Sequence, residues 1–260
     1  MPRFSPQRPA FFFACCVALA LGSLFFSATA APAMGAGISL PNPGFRSIGI
    51  WHPETGVRLD VAVWYPSSRV PRDVQLEGWA MRVSKDNAGV PGRYPVILLS
   101  HDAASSRFAS HDLAAVLARN GFIVVAPTHP KDNAADNSGL YRAAIFAERP
   151  RHLVLALEAA SGHPTLGPLL DRSRIGVLGV GAGAATALQL AGAKPDLARL
   201  SGYCTSQSPR DPLCSNWAKG FHPRMQREFA VLAAAGDAIF TPFIPKVEQP
   251  LAADAPLSDI

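Results

Sequence analysis

Arg174-Ile-Gly-Val-Leu-Gly-Val-Gly-Ala-Gly183 is the stretch on which the fold turns. Ile175 to Leu178 form a short apolar run, as a strand covered on both faces requires, and alanine-rich chain from about Gly183 to Ala193 follows with helical composition. The turn between them, Gly179-Val180-Gly181-Ala182-Gly183, has the G-x-S-x-G spacing of a nucleophile elbow. Its outer glycines let the chain turn sharply enough to lift the central residue above the sheet edge. Here that central residue is Gly181 where an elbow needs a serine.

Strands and helices alternate on the N-terminal side of this turn. Pro95 to Ser100 and Phe122 to Ala126 are further buried-strand runs. Between them Ser110 is placed to cap a helix with Leu113, Val116 and Leu117 on one face, stopped by Asn120-Gly121. A loop from Pro127 to about Tyr141 leads to a second helix, with Pro150 near its first turn and Leu153 and Leu157 on one stripe. Upstream, Arg46–Trp51 and Val57–Tyr65 alternate apolar and polar residues around a Pro53–Gly56 turn and read as an antiparallel hairpin, with Trp51 and Trp64 in the core. Ser67 to Gly92 is polar and turn-rich and reads as a loop. The order implies an α/β fold, a mainly parallel sheet flanked by helices with an N-terminal antiparallel hairpin. Glu228 to Ala234 is the last strand candidate, and four prolines fall between Phe240 and Ile260. The expected layout is a leader at 1–30, a linker at 31–44, one domain at 45–240 lacking its last strands, and an irregular tail at 241–260.

With 260 residues and 48% hydrophobic content the chain is of globular composition. Arg3 and Arg8, the apolar run Phe11 to Phe26 and Ala28-Thr29-Ala30 are the parts of a secretory signal peptide cleaved after Ala30. Gly22 and Ser23 interrupt the run, which is short of the ~20 apolar residues of a membrane span. The expectation is therefore an exported protein, periplasmic or secreted, with no membrane attachment after cleavage. The formal charge of +5 becomes 5 − 2 = +3 without Arg3 and Arg8, and basic residues do not cluster among aromatics, so nucleic acid is not an expected partner. Cys15 and Cys16 leave with the leader. Cys204 and Cys214, close in sequence and headed for an oxidising compartment, are the disulfide candidate, and two cysteines without a nearby histidine pair fall short of a zinc set. No cofactor and no metal is expected.

Tyr94-Pro-Val-Ile-Leu-Leu-Ser-His-Asp102, Gly121-Phe-Ile-Val-Val-Ala-Pro-Thr-His-Pro130 and Arg174-Ile-Gly-Val-Leu-Gly179 resemble three successive landmarks of the α/β-hydrolases, in the dienelactone-hydrolase-like and platelet-activating-factor-acetylhydrolase-like branch. The resemblance runs roughly from Phe45 to Ala235. It implies a carboxylic ester hydrolase fold in which Ser100-His101-Asp102 is the oxyanion loop, normally Ser-His-Gly, so Asp102 is a second departure beside Gly181. It also implies an acid after the seventh strand and a histidine after the eighth, and neither strand is visible before Ile260; the last histidine, His222, precedes the sixth. The expectation is a catalytically degenerate relative, either a holder of a small ester or apolar ligand or a decayed remnant, whose exposed sheet edge favours self-association.

Two other readings use the same residues. Gly179-x-Gly181-x-x-Ala184 after a strand is an acceptable dinucleotide turn, but the acidic residue due about 20 residues later is lacking, with only Asp196 and Asp211 in turn-like surroundings. An active hydrolase with relocated groups would use Ser105 or Ser106 with His101, His111 or His129. His152 stands where the family often has an acid and reads as a helix-surface residue.

Overall fold

A computed structural model describes residues 40–140 and 142–194. The expected leader at 1–30, Cys204 and Cys214, and the strand expected at Glu228–Ala234 lie outside the described residues. Seven strands form one sheet: β1 (Asn42–Trp51), β2 (Arg58–Ser67), β3 (Arg72–Leu76), β4 (Trp79–Lys85), β5 (Tyr94–Ser100), β6 (Ile123–Pro127) and β7 (Leu170–Gly179). Their order is β3-β4-β1-β2-β6-β5-β7. Helices α1 (His111–Arg119), α2 (Ala143–Gly162) and α3 (Ala182–Leu190) flank it. Among these, no helix is long and apolar enough to cross a membrane.

The hairpin β1–β2 is antiparallel, as its alternation predicts, and β5 pairs in parallel with both β6 and β7. Antiparallel pairing of β2 with β6 joins the two parts and makes the sheet mixed. Side chains on the two sheet faces feed two cores. On one face Leu59, Val61, Val63, Leu98, Ile123 and Val125 pack under Leu153, Ala156, Leu157 and Ala160 of α2. On the other, Ala62, Trp64, Leu99, Val124 and Ala126 meet Phe108, Ala114 and Ala118 at α1. The period-two alternation of strands accounts for this division: adjacent residues such as Leu98 and Leu99 serve opposite faces.

Four expectations need correction. Ser67–Gly92 is not a loop: it holds the β3–β4 hairpin, turned at Glu77 (φ 49°) and Gly78 (φ 84°). Paired positive φ values are those of a type I′ turn, and Val74, Met81 and Val83 supply the alternation. The face that α1 buries is Ala114 and Ala118; Leu113 and Val116 are exposed, because small residues let the helix lie close on the sheet, and Ser110 makes no side-chain cap bond. Pro150 sits well inside α2 instead of in its first turn. Trp51 is 68% exposed at the end of the hairpin, whereas Trp64 is fully buried.

Because β6 and β7 lie on opposite sides of β5, the chain changes its direction of growth there. The loop after β5 runs to α1 on one face and the turn after β7 to α3 on the other. In α/β sheets such a divergence at the strand C-termini marks the crevice where ligands are held.

Candidate functional site

At this crevice β7 ends in Gly179 and β5 in Ser100, in register. Val180 N donates to Ser100 O at 3.1 Å, and α3 begins after Gly181, which adopts φ 55° and ψ −120°. Those angles are costly for any residue with a Cβ, by about 1–3 kcal/mol, and glycine at this position relieves the strain. Gly183 is required for a different reason: a Cβ there would run into the Ser100 carbonyl.

Asp102 closes the elbow. Its Oδ1 accepts from Ala182 N at 2.8 Å and from Ala103 N at 2.7 Å. In an elbow the N–H after the nucleophile is one of the two that hold the oxyanion. In this chain the Asp102 carboxylate oxygen takes that N–H, at a helix N-terminus that favours negative charge. A Cβ built on Gly181 would overlap the same carboxylate. Gly181 and Asp102 are therefore matched: the missing side chain at one makes room for the extra side chain at the other. The departure from Ser-His-Gly at Asp102 thus puts a carboxylate against the two N–H groups of the elbow and its facing loop.

Beneath the loop lies a buried polar layer. Arg149 and Asp132 pair at 2.5 Å, each 2% exposed, and Arg149 also donates to the His101 carbonyl and to Ser100 Oγ (3.3 Å). Asp132 Oδ1 accepts from Ala104 N at 2.9 Å. One ion pair so fixes both ends of the segment 100–104 that carries Asp102. Burial lowers the Arg149 pKa, opposed by Asp132.

Three imidazoles complete the layer. His101 Nε2 accepts from His129 N at 3.0 Å, leaving Nδ1 to donate to Asp102 O at 2.6 Å. His129 Nε2 is 2.9 Å from Ser100 Oγ and its Nδ1 is 3.2 Å from His152 Nδ1. Burial, chiefly, pushes His101 down to about 4 and His152 down to about 3, and burial with the Arg149 charge holds His129 well below its usual value. All three are neutral near pH 7. His152 is therefore not the helix-surface residue read from the sequence; it is buried where α2 packs against the loop following β6.

The relocated catalytic candidates have local partners of their own. Ser106 Oγ accepts from Phe108 N, and His111 Nδ1 faces Phe108 O with its Nε2 3.3 Å from Asp112. His129 is paired with Ser100, which is fully buried. Arg149 and Asp132 escaped the sequence reading because a buried ion pair between a loop and a helix has no local signature.

Residues 79–165 match the family described as platelet-activating factor acetylhydrolase, isoform II. Among solved structures, a ferulic acid esterase from Streptomyces cinnamoneus is similar at 24% identity and a TM-score of 0.50, over 62% of this chain and 56% of that one. A dienelactone hydrolase from Anabaena variabilis is similar at 17% identity and a TM-score of 0.38, over 56% of each chain. The chain thus spans little more than half the length of these structures. No curated protein matches it. The partial family match and the likeness to the esterase, set beside the elbow after β7 and the loop after β5, give the chain the fold of an α/β-hydrolase, with residues 79–165 similar to the platelet-activating-factor-acetylhydrolase family.

Proposed function

We propose that this chain is an exported hydrolase-fold protein that does not turn over esters and instead holds a small ester or apolar molecule at the crevice between β5 and β7. One observation carries the reading: the Asp102 carboxylate is bonded to Ala182 N and Ala103 N, in the seat of the oxyanion, with Gly181 where the nucleophile would stand. Loss of triad members from an intact hydrolase still leaves ~10³–10⁴-fold acceleration over water through the oxyanion hole and substrate binding. Here the hole is filled from within, so that residual term is withdrawn as well. The same carboxylate opposes the dinucleotide reading, since a pyrophosphate would need the helix N-terminus that Asp102 occupies. Export rests on Arg3, Arg8, the apolar run and Ala28-Thr29-Ala30.

The test is turnover of p-nitrophenyl esters by the purified chain and by Gly181→Ser. Both are expected to stay at background, the variant because its hydroxymethyl group lands on Asp102. Turnover by the unaltered chain that a serine-directed phosphonate abolishes would overturn the proposal.

A further inference from the structure

We propose that His52, Glu148 and His152 form a binding site for a divalent transition-metal ion of the Zn²⁺ class, where the turn after β1 meets the first half of α2. His52 is 3% exposed and its Nδ1 accepts from Glu54 N and Thr55 N, both at 3.3 Å. These bonds fix the ring so that Nε2 is directed at α2, where it is buried without a hydrogen-bond partner. Glu148 Oε2 is 3.7 Å from it, and His152 Nε2, one helical turn along α2, is 3.9 Å from the same oxygen. Both separations are too long for hydrogen bonds. The candidate donor atoms of the three residues nonetheless lie within 4.8 Å of one another.

A tetrahedral ion with bonds of about 2.0–2.1 Å holds neighbouring donors ~3.3 Å apart, so shifts of about half an ångström bring this set onto one centre. Two imidazoles and one carboxylate suit zinc-like ions; calcium and magnesium demand more oxygen donors. His152 is already oriented: when its Nδ1–H is given to His129, its Nε2 lone pair faces Glu148, and His129 is braced in turn by Ser100. His52 enters differently. With Nδ1 accepting two N–H groups at 3.3 Å, the metal-free ring carries its proton on Nε2; an ion binding Nε2 of the neutral imidazole requires that proton to pass to Nδ1, and the two long N–H bonds are given up. Arg151 faces the other carboxylate oxygen, Glu148 Oε1, at 3.7 Å and pairs with Glu54, leaving Oε2 to the ion. Beside the set is a cavity of about 260 Å³ lined by Lys131, Arg142, Glu148 and His152. It leaves a fourth coordination position accessible, and the two cations flanking it favour an anionic fourth ligand, a carboxylate or phosphate.

The experiment uses the full, untagged chain, stripped with chelator and titrated with Co²⁺. One equivalent is expected to develop the intense d–d absorption of a four-coordinate ion, and Zn²⁺ is expected to displace it. Glu148→Gln and His52→Gln should each weaken binding at least about tenfold. Zn²⁺ should raise the melting temperature of the unaltered chain and leave both variants where they are. Glu148 is partly exposed, so Glu148→Gln is expected to keep the circular dichroism of the parent; His52→Gln is the more severe change. Absence of the four-coordinate spectrum in the parent overturns the proposal, and so does parental affinity in a folded Glu148→Gln.

Discussion

Replacing Gly181 by alanine asks two things of the elbow at once. The backbone at φ 55° and ψ −120° must accept a Cβ, a strain of about 1–3 kcal/mol. The new methyl group also overlaps the Asp102 carboxylate, which must leave Ala182 N and Ala103 N. Water can replace an exposed acceptor in part, so this second loss is set at about 1 kcal/mol, near the net worth of one hydrogen bond. Gly181→Ala is expected to destabilise by about 2–4 kcal/mol, read from urea unfolding midpoints at constant m-value. In an Asp102→Gly background the overlap is gone and only backbone strain remains, so the same substitution should cost about 1 kcal/mol less. That difference is the coupling between the two positions. Equal costs in both backgrounds would refute the matched pair, and a cost near zero would refute the strained elbow.

Two predictions concern the buried layer. His101 and His152 are held down to about 4 and about 3, and His129 also lies below its usual value; in the unfolded chain all three titrate near 6.5. Protons then bind the unfolded state first as pH falls, so stability is level above about pH 7 and declines from about 6.5 towards 4, by at most ~1.4 kcal/mol per pH unit for each imidazole. Arg149 adds to this by opposing charge on all three, Asp132 works against it at His101, and urea midpoints that stay flat from pH 7 to 5 would contradict the burial. Arg149→Met leaves Asp132 charged and buried, at an expected cost of about 3–5 kcal/mol, and adding Asp132→Asn should restore part of it; thermal melts of the single and double variants measure both.

The features legible in the sequence are those whose cause is local. An apolar run, a glycine-flanked turn and an alanine-rich helix place the elbow within a residue, and alternation places the β1–β2 hairpin. The β3–β4 hairpin has the same alternation, but its Glu77-Gly78 turn lacks the usual Asn or Asp and its strands carry polar residues on the exposed side. Helix α1 defeats a reading by residue size, since Ala114 and Ala118 are buried while Val116 is not. Distance in the chain hides the rest. Asp102 with Ala182, Arg149 with Asp132, and His129 with His152 are brought together only by the sheet order, and the departure at Asp102 does not tell from sequence which N–H groups its carboxylate will meet.

Asp102 and Ala182 stand 80 residues apart, and their bond spans the β5–β7 pairing. The length-dependent part of closing such a loop is about 4 kcal/mol of chain entropy, far more than the bond returns. The carboxylate therefore does not recruit the elbow; strand pairing and the apolar faces must assemble first, and Asp102 settles into a seat already built. In kinetic terms the plug is a late event, a reporter of completed sheet registry and not one of its causes.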